Sequence, residues 1–298
     1  MMNTPTHIMK EDSAGECDNL SIVNPISRSF SAIPKSFSNL WTNRSLIRNF
    51  VSRDISQRYR KSIVGYFWII LEPLLLSAVY YMLFIIIAER TEERLPLWII
   101  LGVITWQYFA KSLNESVNCL TSNKNMIKQI YFPREIFAVS KTFAQLIITT
   151  ISLVVTIPFL IHLGIQPTWQ LLLVPLALIM VTFQVLGVGW LLAVPNVQNG
   201  DISHLIRFIT RAGFFISPVM WQMSMAIDRA GDKAELITYL YILNPMVVPL
   251  EMMRAAFDGT TPPIPNWAIY WSMAFSVLVL LMGLTVFKKY ESKVVKRL

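Results

Sequence analysis

Residues 64–88 form an apolar run with a single charged side chain, Glu72. As a helix rising ~1.5 Å per residue, that run crosses the ~30 Å hydrocarbon core of a bilayer. Five more apolar tracts follow, at about 95–118, 136–163, 169–194, 202–221 and 267–287. Charged residues fill only 15% of the 298 positions, where a soluble chain carries about a quarter, so one large soluble core is not expected. The expected fold is an all-α polytopic membrane protein with six transmembrane helices per protomer. Pro195-Asn196 is expected to end the fourth span.

A basic island, residues 123–140, separates the second and third tracts. Lys124, Lys128 and Arg134 alternate there with Met126, Ile127, Ile130, Tyr131 and Phe132. The spacing predicts a helix of about two turns with one apolar and one basic face. Pro133 closes the run. Such a segment lies on a membrane surface or docks on a partner there. Its cations fit lipid equally well, and the Phe132-Pro133-Arg134-Glu135 run favours protein docking. Upstream, residues 36–61 place Leu40, Trp41, Leu46, Ile47, Phe50, Val51 and Ile55 at helical spacing. Arg44, Arg48, Arg53, Arg58, Arg60 and Lys61 take the other positions, giving a basic amphipathic helix suited to an anionic cytosolic leaflet. Residues 1–35 are polar, lack the apolar core of a signal peptide, and are expected to form a flexible cytosolic tail.

Lysine and arginine set the expected topology. With the N-terminus inside, nine precede the first span, three lie in the island, two are Arg207 and Arg211, and five lie in the tail. These nineteen inside face five outside, namely Arg90, Arg94, Arg229, Lys233 and Arg254. That bias places both termini in the cytosol and requires an even number of crossings. Residues 236–257 are apolar enough for a seventh span, yet they contain Asn244-Pro245, Pro249, Glu251 and Arg254. The expectation is an outer loop, 222–266, with re-entrant helices broken at Asn244-Pro245. Broken backbone at membrane depth is tolerated only where protein or a wet cavity surrounds it.

No G-x-x-x-x-G-K-[ST], H-E-x-x-H or G-x-S-x-G pattern occurs, so no catalytic residue is assigned. Cys17 and Cys119 suggest neither a disulfide framework nor a metal site. Asp228, Asp232, Glu235 and Asp258 read as a solvated outer surface, and a membrane glycan-transfer enzyme would need one of them. Glu72 either borders a transport path or anchors a proline kink at Pro73, the second being preferred. Few acids are embedded, which argues against a proton-driven flippase. Tyr80 and Tyr81 in the first span, with Phe208, Phe214 and Phe215 in the fifth, are candidate channel-lining residues on which sugar rings could stack; lipid-facing packing is the other reading.

Three stretches carry a resemblance to type-2 ABC exporter permeases of bacterial polysaccharides. Arg53, Asp54, Arg58, Tyr59, Gly65, Trp68 and Pro73 match the pattern leading into the first span of that family. Asn123, Asn125, Ile127, Lys128, Ile130, Phe132, Pro133, Arg134 and Glu135 match its island, with Gln129 where a second lysine is usual. Asn244-Pro245 with Glu251 and Arg254 resembles its outer re-entrant segment.

The resemblance implies a homodimer paired with two copies of a separate ATPase, which binds ATP and Mg; this chain holds no cofactor. Residues 123–135 become a coupling helix, with Asn125, Met126, Lys128, Tyr131, Phe132, Pro133, Arg134 and Glu135 facing the ATPase. Arg53, Arg58, Arg60, Lys61, Arg207 and Arg211 become candidate contacts to a lipid-linked diphosphate, with membrane anchoring as the other reading. Asn244, Pro245, Glu251 and Arg254 become an outer gate. The cargo implied is a lipid-linked glycan, O-antigen first, with teichoic acid, capsule or a small hydrophobic compound as alternatives. The partners are membrane lipids and protein, not nucleic acid, and the location is the bacterial inner membrane.

Overall fold

The computed structural model describes residues 34, 36–60, 62–88, 92–129 and 133–294. The expectations for residues 1–33 and 35, for Lys61, and for Tyr131 and Phe132 lie outside the described residues. Among the described residues the regular structure is helical throughout. Residues 36–42 are helical and lead into α1 (Arg44–Tyr59), then α2 (Trp68–Ala88) and α3 (Leu95–Val117). The island holds two short helices, α4 (Cys119–Ser122) and α5 (Lys124–Gln129). Next come α6 (Glu135–Ser152), α7 (Ile157–His162), α8 (Leu173–Gln198) and α9 (Asp201–Ile216). The outer segment holds α10 (Met223–Ala230), α11 (Ala234–Ile242) and α12 (Val247–Asp258), and α13 (Asn266–Val294) closes the order.

Among the described residues, four helical stretches are long and apolar enough to cross a membrane: Gly65–Ile86, Glu135–His162, Trp169–Gln198 and Asn266–Glu291. A fifth candidate is the pair Met223–Ile242 and Val247–Asp258, bent by 104°. The break at 243–246 contains Asn244-Pro245. Helix α3 carries Gln107, Lys111, Asn114 and Glu115 in its second half, which lowers its hydropathy. Helix α9 has 16 residues, about 24 Å at 1.5 Å per residue, and is short for a full crossing.

Helix α8 is the hub, packed against α13, α3, α12 and α6. It meets α13 backbone to backbone. A Cβ on Gly283 would lie 2.1 Å from the Gly187 carbonyl oxygen, so only glycine fits there. Small residues allow this approach, and polar side chains add hydrogen bonds across it. Gln184 Nε2 donates to Ser276 Oγ at 3.0 Å and to the Pro245 carbonyl at 3.1 Å. Tyr108 and Thr182 share a hydroxyl contact of 2.6 Å between α3 and α8.

Three helix ends differ from the expected span ends, and the first difference is that α13 runs past 287 to Val294. Helix α8 runs through Pro195 to Gln198. Its last turn is anchored by buried Asn196, whose Nδ2 donates to the Val117 carbonyl and to Asn118 Oδ1, both at 3.1 Å. Helix α9 stops at Ile216 rather than 221. Ser217 precedes Pro218 and takes an extended conformation with ψ 152°, because a following proline disfavours helical backbone.

Candidate functional site

Helix α1 runs alongside α6 in register. Phe50 packs against Phe137, the rings tilted by 38° with centroids 5.6 Å apart. Four residues on, Lys141 Nζ lies 2.9 Å from Asp54 Oδ2. Four further, Arg58 Nη1 donates to Gln145 Oε1 at 2.9 Å, and its other nitrogen pairs with Glu115 of α3. Asp54 is 3% exposed, and its cationic neighbours are Lys141 and, at 3.8 Å, Arg53. On α3, Lys111 lies one turn before Glu115 and holds Glu72 of α2 at 2.7 Å. Ser77 donates to the Pro73 carbonyl at 2.6 Å, next to the proline. Glu72 is therefore ion-paired to another helix rather than bonded into the proline turn. None of the sequence expectations names Lys141 or Gln145; the signal that could find them is the shared spacing of four in Asp54/Arg58, Lys111/Glu115 and Lys141/Gln145.

The island is held to the rest of the chain at both ends. Ile127 is buried in one cluster with Phe50 and Phe137, while Lys124, Asn125 and Lys128 are exposed. Met126 is half-buried, with its Sδ 3.3 Å from Arg53 Nη1. After Pro133, Arg134 Nη1 donates to the Glu291 carbonyl at 2.6 Å. Glu135 is fully buried and takes Lys288 Nζ at 2.7 Å. Lys288 also lies 3.3 Å from Glu291. The adjacent charges Arg134 and Glu135 thus tie α6 to the end of α13, and the outward face of the island is Lys124, Asn125 and Lys128.

Of the candidate phosphate contacts, Arg60, Arg207 and Arg211 are exposed. Arg207 Nη2 lies 3.1 Å from His204 Nδ1, so the i, i+3 pair shares a face. Arg53 and Arg58 are engaged inside the chain, Arg53 also lying over the Phe50 ring at 4.9 Å. Helices α1 and α9 approach the same stretch of α3: Arg58 pairs with Glu115, and Asn114 Nδ2 donates to Thr210 Oγ1 at 3.2 Å.

The aromatic set divides. Tyr80 of α2 meets Phe214 of α9 at 5.0 Å between centroids, and Phe215 meets Phe214 edge-on at 5.3 Å. Tyr81 packs on the central cluster. Phe208 and Phe215 stand exposed on α9 beside Leu205 and Ile209.

On the other side, Arg254 organises the backbone that follows α9. It is 1% exposed and donates to the carbonyls of Val219 at 2.6 Å, Trp221 at 2.9 Å and Trp98 at 3.3 Å, and to Glu251 Oε1 at 2.9 Å. Glu251, fully buried, also accepts the Met223 amide at 3.0 Å. The non-helical stretch 217–222 leaves carbonyls that no helix satisfies, and one guanidinium with its fixed fork of donors supplies them. Gly102 makes room: a Cβ there would lie 2.0 Å from the Val219 oxygen and 2.8 Å from Arg254 Nη2. Asn244 Nδ2 donates to Ser217 Oγ at 2.8 Å, joining the two breaks. Asp258, expected as part of a solvated surface, has a side chain 6% exposed, 3.7 Å from Arg94 and bonded to the Trp98 indole.

Among the described residues, helices long and apolar enough to cross a membrane and a bent outer pair clamped by a buried ion pair define an integral membrane architecture. The sequence profile described as ABC-2 type transporter matches residues 45–257. The chain belongs to that family, the membrane subunits of ABC transporters. It is similar to an O-antigen export system permease protein, RfbA, of Myxococcus xanthus, 27% identical over 223 residues, 73% of this chain and 82% of the relative. An RfbA of Klebsiella pneumoniae is 24% identical over 244 residues, 80% and 90% of the two chains. The capsule polysaccharide export inner-membrane protein CtrC of Neisseria meningitidis serogroup A is 21% identical over 265 residues, 86% and 95%.

Proposed function

We propose that the chain is the permease subunit of an exporter that carries a lipid-linked polysaccharide, with O-antigen as the cargo, across the bacterial inner membrane. The observation that carries this reading is the long alignment to relatives named for O-antigen export, covering most of both chains. Two copies of a separate ATPase bind ATP and Mg and drive two copies of this chain. Each protomer crosses six times with both termini cytosolic, α3 and α9 completing the four long spans and α10–α12 folding back from the outer side. The exposed Lys124, Asn125 and Lys128, with Tyr131 and Phe132, meet the ATPase. Arg134 and Glu135 pass its movement to α13 through Glu291 and Lys288. Exposed Arg60, Arg207 and Arg211 gather the diphosphate headgroup, with Lys61, next to Arg60 in sequence, as a further contact. Tyr80, Tyr81, Phe208, Phe214 and Phe215 line the path between protomers. The Glu251–Arg254 clamp, with Asn244 and Pro245, fixes the outer gate.

Deletion of this chain in its own cell tests the cargo. Surface O-antigen is lost while the lipid-linked glycan accumulates on the cytosolic side; surface glycan at normal level contradicts the reading. Capsule polysaccharide is the second reading, favoured by the CtrC alignment, and is the glycan that then disappears from the surface.

A further inference from the structure

A groove of about 420 Å³ opens between residues 37–47 and the flanks of α6, α8 and α13, within the ~300–1,000 Å³ of small-ligand sites. Buried Leu186, Trp190 and Leu280 form its floor, and exposed Trp41, Arg44 and Phe143 form its rim. It is elongated: its lining on α8 runs from Thr182 to Trp190, about 12 Å along the axis. Among the described residues no carboxylate lines it and Arg44 is the one lining cation, its guanidinium 5.5 Å from the Trp41 ring. Among the described residues no acidic side chain pairs with Arg44, whereas Arg53, Arg58 and Arg254 all have carboxylate partners.

We propose that the groove holds one anionic phospholipid of the bilayer, its phosphate on Arg44 and an acyl chain over Leu186 and Leu280. Charge complementarity chooses the occupant. An apolar, elongated floor with a cation at its mouth that no described carboxylate neutralises matches a headgroup-and-chain amphiphile, and a guanidinium binds phosphate oxygens through paired N–H donors. An aromatic ring beside that cation is at home at headgroup level. The lipid would fasten residues 36–42 against α8 and so fix the approach of α1 to α6. The proposal needs the chain in a membrane; it depends on neither the cargo nor the ATPase.

Native mass spectrometry of the intact chain, titrated with phosphatidylglycerol or phosphatidylcholine, tests it. Wild type should retain phosphatidylglycerol at least about tenfold more tightly, the scale of one charge-assisted contact. Arg44→Glu should lose that preference and Arg44→Lys should keep most of it. Arg48→Glu, equally exposed on α1 but outside the groove, should keep all of it. Phosphatidylglycerol with a diazirine on its acyl chain should label peptides containing Phe143 or Phe183. Equal retention of the two lipids, equal loss in Arg44→Glu and Arg48→Glu, or labelling confined to other surfaces overturns the site. Disulfide-linked dimers of Phe143→Cys would put a second copy of the chain there and overturn it too. Normal glycan export without lipid preference removes this proposal alone.

Discussion

Replacing Arg254 with Met should unlatch the outer segment. The substitution keeps length and apolar bulk but removes four hydrogen bonds: to Val219, Trp221 and Trp98 carbonyls and to Glu251. Glu251 is then a fully buried carboxylate whose remaining bond is the Met223 amide. Breaking a buried pair from one side costs about 3–5 kcal/mol. Each orphaned carbonyl adds up to ~1–3 kcal/mol where water cannot reach it. These losses are not additive, and the low end of the first, about 3 kcal/mol, is the minimum, a large share of a total near ~5–15 kcal/mol. The double change Arg254→Met with Glu251→Met removes the stranded charge and should recover part of the loss. It should not recover all, because the carbonyls of Val219 and Trp221 and the Met223 amide still lack partners. Equilibrium unfolding in mixed micelles, followed by tryptophan fluorescence, reads both. A loss below ~3 kcal/mol in the single variant, or full recovery in the double, would refute the clamp.

Gly283→Ala should destabilise the α8–α13 contact by at least about 1–3 kcal/mol, since the new Cβ falls 2.1 Å from the Gly187 oxygen; an unchanged unfolding midpoint contradicts that packing. Glu72→Gln should leave ATP-driven export intact, because a glutamine side-chain oxygen can still accept a hydrogen bond from Lys111 Nζ; loss of export would instead put Glu72 in the transport path. Arg134→Ala and Glu135→Ala should impair ATPase coupling while membrane insertion stays normal, and Lys288→Met should reproduce the Glu135 defect because it breaks the same ion pair. ATP turnover that stays coupled to export in all three variants would contradict the link from island to α13.

Elements whose signal lies within one stretch of chain were legible before any coordinates. Long apolar runs, the basic island and the break at Asn244-Pro245 are patterns of neighbouring residues. The end of α9 was equally local, since Ser217-Pro218 marks it, but apolar composition continues to Trp221 and masks the stop. The passage of α8 through Pro195 was not legible, because what anchors Asn196 belongs to α3 and its C-cap, some 78 residues away in sequence. The same holds for charge pairing. Spacing puts Asp54 and Arg58 on one face, but which of Lys141, Glu115 and Gln145 each one meets depends on how α1 lies against α6 and α3. In sequence Arg134 and Glu135 look like an outward docking pair, whereas in the fold their partners are Glu291 and Lys288 on α13. Arg254 was legible as a motif residue, but its role required seeing that three broken-backbone or helix carbonyls converge on it.

The central claim is tested most directly in proteoliposomes holding this chain, its ATPase and a lipid-linked O-antigen glycan. Protection of the glycan from an external glycosidase is the readout. Glycan should become exposed only with ATP, Mg and the ATPase all present. Exposure at the same rate by this chain alone, or none with the full set, would contradict the account.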